Sequence, residues 1–422
     1  MKPRLAVIGT GVAGLGCAWN LRDVADITLI ERDSRTGGHS NTVFVEESGK
    51  TVPIDTGFIV FNHATYPHLT RLFDELGVRT KPSEMSFSVS HQPLGIEYNG
   101  MGANKVFAQR RNLVRPRFYL FLRQVLRFFA VAKAALKDPA TEGQTLREFT
   151  DVHGLGQDFL DLYLVPMSSA VWSTEPGRVL DFPALSLLRF FDNHGFLGVD
   201  THHQWYTVDG GSRAYVDRIL AAFQPARLPA RVVRVEESAD SATVVIEGGE
   251  RLNFDRVVIA AHADEALAML AEPSHLQERL LGAFGYQRNT ATLHTDATVM
   301  PRRRRAWASW NYRIENDGSD RTVATTHYWM NALQNVSPDR DYFVSINART
   351  EPAGVLYRTV YEHPVYTLEA MRAQADLPEL NRRAPSQRIF FCGSYFRHGF
   401  HEDAYASAVN LSEVLRPILA GS

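Results

Sequence analysis

The sequence predicts an α/β protein in which a domain built on a parallel sheet, assembled from three separated pieces of chain, is interleaved with an α+β domain. Three observations carry this. Residues 5–31 read as strand, glycine-rich turn, helix and second strand, and two further apolar strand-like runs, at 256–261 and 389–394, recur far downstream. The segments between them have a different character, rich in aromatic side chains and short alternating strands. At 422 residues the chain exceeds what one hydrophobic core usually serves, so two domains are expected.

Composition narrows the function classes. With 45% hydrophobic and 22% charged residues and a net charge of -2, the chain carries no overall signal for nucleic acid, and no nucleic-acid partner is expected. Its cysteines are Cys17 and Cys392, too far apart for a C-x-x-C pair, which excludes a disulfide framework or cysteine-based zinc site and suits a reducing compartment. No apolar run approaches the ~20 residues of a membrane span. The cytoplasm is the expected location.

The N-terminal elements come first. Leu5-Ala-Val-Ile8 is a short buried strand, Gly9-Thr-Gly11-Val12-Ala13-Gly14 follows at once, residues 15–21 are helical, and a second strand at 27–30 ends at Glu31. Strand, G-x-G-x-x-G, helix, strand and acid, with the acid about 20 residues beyond the motif, is the order that binds a dinucleotide. Gly9 permits the tight turn, Gly11 lets backbone approach a pyrophosphate, and Gly14 lets helix pack on sheet. The helix start at Val12 and Ala13 offers free N–H groups to the phosphates. Glu31 accepts from ribose hydroxyls and would repel a 2′-phosphate, which argues against NADP. A basic N-terminus before an apolar run also opens an export signal, but Trp19-Asn-Leu-Arg-Asp23 offers no small-residue cleavage site.

The next residues are Glu31-Arg32-Asp-Ser-Arg35-Thr-Gly37-Gly38-His39-Ser40 and then Ile54-Asp55-Thr56-Gly57-Phe58. With these the chain resembles the flavin-containing amine oxidase and phytoene desaturase superfamily. The resemblance implies a Rossmann-like FAD-binding domain interleaved with an α+β substrate domain, of the amine oxidase and glutathione reductase 2-like type. It implies that Gly37, Gly38, His39 and Ser40 wrap the pyrophosphate and ribityl chain, with Arg32, Thr56, Gly57 and Phe58 also in the cofactor-binding set. His39 stands where the family usually has arginine.

Downstream, Val208-Asp-Gly-Gly-Ser212 precedes a helix, and Arg231-Val232-Val-Arg-Val235 precedes an alternating strand at 242–246. In the superfamily the first valine of such a segment meets adenine through its backbone, which maps to Val232. Near the C-terminus a strand ends at Gly393-Ser394, and Gly399-Phe-His401-Glu402-Asp403-Ala404 opens a helix reaching about Leu415. The resemblance implies that Gly393, Ser394, His401, Glu402 and Ala404 face the FAD, with Asp403 in place of a usual glycine. His398, His401, Glu402 and Asp403 also suggest a metal cluster, but no supporting ligand motif occurs elsewhere, so none is expected. No cysteine lies where monoamine oxidases link their flavin, so the FAD is expected to be non-covalent. Residues 1–65, 205–265 and 385–422 then form the FAD-binding domain, and 66–204 and 266–384 the substrate-binding domain.

In the substrate half, residues 66–76 form a helix closed by Gly77, and strands are expected at 290–294, 306–312, 322–330 and 342–347. Trp172, Phe190, Phe191, Trp205, Trp307, Trp310, Tyr312, Tyr328 and Trp329 supply aromatic surface, partly core and partly the lining of an apolar tunnel. Residues 98–137 hold Lys105, Arg110, Arg111, Arg115, Arg117, Arg123, Arg127, Lys133 and Lys137 without one acid. Phe118, Leu122, Val125, Leu126 and Phe129 interleave at helical spacing. A helix over 105–137 that contacts the inner face of an anionic membrane fits this pattern, and so does a solvated helix packed on its own domain. Arg302-Arg-Arg-Arg305 extends the basic surface.

A flavin accepts hydride at N5 from a C–H bond held against it. Amine oxidases of the superfamily carry a lysine near that edge. The matching strand here has Asn289 and no lysine nearby, which lowers the amine reading and leaves Asn289 to orient a water. Within the superfamily the chain looks most like the branch that includes the desaturase of methyl-branched acyl chains in furan fatty acid biosynthesis. That likeness rests on Asp55-Thr-Gly-Phe-Ile-Val-Phe-Asn62, Trp307-Ala-Ser-Trp-Asn-Tyr312, Tyr328-Trp-Met-Asn331 and Gly393-Ser-Tyr-Phe-Arg-His-Gly-Phe-His-Glu402. It implies a fatty acyl or phospholipid substrate, with His401 and Tyr312 as the polar groups nominated to take a proton. Three alternatives stay open. One is an amine or amino-acid oxidase, with Arg189 or Arg397 holding a carboxylate; the others are a carotenoid-type desaturase and a non-enzymatic flavin-binding regulator.

Overall fold

Arg4–Ile8 is the middle of five parallel strands, in the order Ile389–Phe391, Arg256–Ile259, Arg4–Ile8, Asp26–Glu31, Ala226–Pro229. The computed structural model describes residues 1–172, 176–199, 201, 203–316, 322–382 and 387–421; the expected boundary at 384/385 lies outside them. The inner strands read as unbroken apolar runs because both faces of a parallel sheet are covered. One face carries the helix Val12–Leu21 with the long C-terminal helix His401–Ala420 beside it. Gly16 allows that contact, since a Cβ there would lie 2.5 Å from the Tyr405 ring. The other face packs on a three-stranded antiparallel sheet, Val232–Glu237, Ala242–Ile246 and Arg251–Phe254.

The second sheet has seven strands, ordered Val355–Val365, Gly285–His294, Phe343–Ile346, Thr322–Trp329, Trp310–Asn316, Phe87–His91, Ile96–Asn99. All its pairings are antiparallel except Phe87–His91 with Trp310–Asn316. Helices between residues 102 and 193 cover it, with Phe128, Phe149, Phe159 and Phe191 buried among them. The helix at 66–76 begins at Pro67, where a missing N–H is harmless, and closes on Gly77 at φ +63°.

The expected strand at 306–312 is corrected. Arg304–Ala306 is a 3-10 turn and the strand starts at Trp310. The Trp307 indole donates to Pro301 O at 2.8 Å and carries the Arg304 guanidinium over its ring at 3.7 Å, which folds this segment back on itself. The last helix runs past Leu415 to Ala420 because Leu419 also packs into the core. The edge strand Val355–Val365 was not expected from the sequence.

Asp55 ties these parts together. The hairpin Thr42–Glu47 and Lys50–Asp55 ends on it, and its buried carboxylate accepts from Ser212 N at 2.9 Å, Ser212 Oγ at 2.7 Å, Gln334 Nε2 at 2.7 Å and Thr42 Oγ1. Burial pushes its pKa up while these donors pull it down. Asp55→Ala would leave buried donors unpaired. It is expected to lower unfolding free energy by about 3 kcal/mol or more, read by chemical denaturation.

Candidate cofactor and substrate site

One cavity of about 1620 Å³ runs between the sheets, larger than the roughly 300–1,000 Å³ that a drug-sized ligand needs. Its nucleotide end is made of backbone turns. Gly9 has φ +95°, and a Cβ there would lie 2.7 Å from Ala260 O; at Gly14 it would lie 2.0 Å from Gly9 O. A Cβ on Gly11 would meet nothing within 4 Å, so the open space lies where the helix Val12–Leu21 begins. That cradle fits a pyrophosphate. The second glycine turn abuts the first: Gly38 has φ +56°, and its Cβ would press on Gly11 Cα at 3.0 Å. Gly37 N donates to Thr10 O at 3.0 Å, and Arg35 donates to Gly38 O at 2.7 Å and Ser40 O at 3.1 Å.

Glu31 faces the cavity and also clamps the first turn, accepting from Thr10 N at 2.9 Å, the Thr10 hydroxyl, and Asp33 N at 3.1 Å. A carboxylate still has lone pairs left for a ribose hydroxyl. Arg32 is paired with Glu265, and Arg288 faces Glu362 at 3.7 Å.

Gly9, Gly11, Val12, Ala13, Glu31, Arg32, Gly38, His39, Gly57, Phe58, Val232, Gly393, Ser394, His401 and Ala404 all line the cavity. Gly14, Gly37, Ser40, Thr56 and Glu402 stand behind it. Gly14 and Gly37 shape the turns, and Thr56 Oγ1 bonds the Tyr361 hydroxyl at 2.7 Å. Glu402 accepts from His68 N at 3.0 Å and Leu69 N at 2.9 Å, capping the helix Pro67–Leu76; burial pushes its carboxyl up to about 7. In place of the family's arginine, the His39 ring stacks on Tyr361 at 4.8 Å, and burial holds it well below its usual pKa and uncharged. Cys17 and Cys392 are buried away from the lining.

Of the nominated catalytic residues, His401 lines the cavity, while Tyr312 and Asn289 do not. His401 stacks on Phe58 at 3.9 Å, and its Nε2 lies 2.8 Å from the Tyr215 hydroxyl and 3.2 Å from Ser40 Oγ. Burial holds it down to about 3. Its nitrogen is therefore engaged by two hydroxyls rather than free for substrate. Tyr312 packs beneath the sheet with Val89 and Phe121 and does not line the cavity. Asn289 also lies behind the wall: its Nδ2 donates to His363 Nδ1 at 2.7 Å, leaving that ring's proton on Nε2. His363 lines the cavity, as do Tyr361 and Tyr366. Tyr361 and His363 come from the edge strand Val355–Val365 that the sequence did not disclose, and Tyr366 follows directly after it.

The other arm of the cavity has a different character. Among the described residues between Tyr66 and Trp205, those that line it include no Asp, Glu, Lys or Arg. Phe87, Tyr98, Phe121, Phe129, Trp172 and Phe190 supply much of its surface. Of the nine aromatic residues singled out, Trp172, Phe190, Trp205, Trp310 and Tyr328 line it. Two substitutions separate cradle from scaffold. Gly11→Val, whose side chain enters open space, is expected to keep the apo fold and weaken FAD retention at least about tenfold, read by flavin absorbance after gel filtration. Gly14→Ala strikes fixed backbone and is expected to destabilise the apoprotein by about 1–3 kcal/mol.

Residues 12–299, about two thirds of the chain, match the family described as Flavin containing amine oxidoreductase. Over 180 residues the chain is 26% identical to Protoporphyrinogen oxidase 2, chloroplastic/mitochondrial, of Arabidopsis thaliana, a stretch covering 41% of this chain and 33% of that relative. The match thus spans about a third of that relative's length. Among solved structures, cyclohexylamine oxidase from Brevibacterium oxydans superposes with TM-score 0.69 at 16% identity, covering 99% of this chain and 100% of that one. A CLA-producing fatty acid isomerase from P. acnes superposes with TM-score 0.64 at 13% identity, covering 98% of each. At these identities the superpositions establish the fold. Glycine cradle, matched span and architecture agree: the chain belongs to the flavin-containing amine oxidoreductase family and is an FAD-dependent oxidoreductase.

Proposed function

We propose that the protein dehydrogenates an acyl chain of a membrane lipid beside an existing double bond, with a methyl-branched unsaturated chain, of the kind made into furan fatty acids, as substrate. The observation that carries this reading is that the described lining residues between Tyr66 and Trp205 are apolar or neutral. A substrate ammonium or carboxylate would find no counter-charge among the described lining residues there, and Arg189 and Arg397 do not line the cavity. An acyl chain instead gains about 0.8 kcal/mol for each methylene it buries. The same fold serves a fatty acid isomerase, which supports an acyl chain as a ligand the architecture can host.

Bound FAD supplies a two-electron acceptor for a hydride. The apolar walls hold the chain in place and exclude water. The proton has to go elsewhere, and His194 is the group for it. It lines the cavity, with Phe190 stacked at 4.0 Å and the Trp205 and Phe400 rings at 5.9 and 6.1 Å. His194 Nδ1 lies 2.9 Å from Phe190 O; a carbonyl only accepts, so Nδ1 holds the proton and Nε2 keeps its lone pair. Burial, helped by His398 and His203, holds this imidazole down to about 4, uncharged at neutral pH. The substrate loses a hydride from one carbon and a proton from its neighbour, and the electron pair of the second C–H bond becomes the new double bond. Loss of hydride beside a double bond leaves that neighbouring C–H strongly acidic, so a base this weak suffices.

Methyl-branched unsaturated phospholipid, added without oxygen, is expected to bleach the flavin. Bleaching by amines but not by lipid would establish amine oxidation instead, and no bleaching by any donor would favour the regulatory alternative. His194→Gln is expected to slow bleaching about 10²–10⁴-fold with FAD content unchanged. In the unaltered protein the rate should fall as pH drops through about 4, where Nε2 takes up a proton and the base is lost.

A further inference from the structure

The cavity reaches the surface beside the helix Pro116–Ala135. Leu126, on that helix, both lines the cavity and is 56% exposed; Met101 and Val199 share this double position. The rim is therefore apolar. The turn Arg110–Val114 and the helix after it expose more large apolar side chains, Val114 at 82% and Leu120 at 55%, with Leu113 and Tyr119 beside them. Single exposed apolar residues are ordinary. Here they share one helical stripe with cations: Tyr119, Arg123, Leu126, Arg127 and Lys133 recur at the spacing of one face, and all are exposed.

The cations on this stripe are also available. Arg117 is paired with Asp158, while Arg110 and Arg111 bond the backbone carbonyls of Phe107 and Gly95. Among the described residues, no acid or carbonyl is bonded to the side chains of Arg115, Arg123, Arg127 or Lys133. No helix among them is long and apolar enough to cross a membrane. Free cations interleaved with exposed aliphatic side chains complement a surface that is anionic outside and apolar just beneath.

We propose that this face docks on an anionic phospholipid bilayer, so that the rim formed by Met101, Leu126 and Val199 opens into the acyl layer. An acyl chain then passes from bilayer to cavity without crossing water. The docking itself stands independently of the dehydrogenase reading; only what enters the cavity rests on it.

The test is co-sedimentation of the FAD-loaded protein with vesicles of phosphatidylglycerol and phosphatidylethanolamine, against phosphatidylcholine vesicles. Wild type is expected to bind the anionic vesicles and to be released by salt. The triple variant Arg115→Glu, Arg123→Glu, Arg127→Glu is expected to partition on the order of a hundredfold less. Val114→Ser with Leu120→Ser, which leaves the charge unchanged, should weaken binding at low salt through the apolar contribution alone. None of these positions lines the cavity, so flavin content, melting temperature and turnover of detergent-dispersed lipid should match wild type. Equal binding by the triple variant, or salt-insensitive binding to both vesicle types, overturns the proposal. So does a concentration-dependent dimer that Leu120→Asp dissolves, since a second copy would then cover this face. If vesicle binding behaves as stated while no lipid is ever turned over, the docking holds and the acyl-chain reading falls.

Discussion

Everything in this fold depends on two backbone turns meeting without side chains between them. Gly9, Gly11 and Gly14 bring the head of the first helix against the parallel sheet, and Gly38 brings a second turn to within 3.0 Å of Gly11 Cα. Any β-carbon on the inner side of Gly9 or Gly14 strikes a carbonyl that belongs to the sheet or the turn itself. The closeness leaves amide groups directed at open space and fixes where the nucleotide end of the cavity lies. Arg35 and Glu31 hold the two turns from behind, through Gly38 O and Ser40 O in one case and Thr10 N in the other.

The cavity then divides by charge. Glu31, Arg32, Asp33, Arg35, Arg231, Glu247, Glu265, Arg288 and Glu362 line its nucleotide end, whereas the described lining residues between Tyr66 and Trp205 include no such side chain. Where titratable groups do approach the apolar arm, burial keeps them neutral: His194 down to about 4, and Tyr66 far above its ordinary range. A buried charge without a partner would be expensive, which favours the neutral forms of both groups.

The nucleotide cradle is legible in the sequence because its pattern is local: Gly14 answers Gly9 O, Gly38 answers Gly11 Cα, and the spacing to Glu31 follows from one strand–helix–strand unit, although Gly9 answers the distant Ala260 O. The strand Val355–Val365 is not, because its exposed and half-buried positions carry a mixture of Leu, Arg, Thr and Glu, and Pro364 near its end reads as a break. Yet that strand carries Tyr361 and His363 into the wall. Asn289 sits one residue layer away from the position expected of it and acts on the cavity through His363. His194 gave no signal at all: a histidine after a run of Leu and Phe becomes a lining group only once the helix Ala184–Asn193 is packed beneath Phe400 and Trp205. Tyr312 and Trp310 show the same limit: two apart in one strand, they lie on one face, yet of the two Trp310 lines the cavity while Tyr312 packs with Val89 and Phe121.

The most direct measurement on the central claim, a flavin facing a channel shaped for an alkyl chain, is a titration of the oxidised protein with a saturated, unreactive acyl lipid while the flavin absorbance is followed. An acyl chain that displaces water from the ring should sharpen and shift the visible band, saturating at one equivalent per flavin. A spectrum indifferent to every acyl chain but altered by a saturating primary amine would contradict the account.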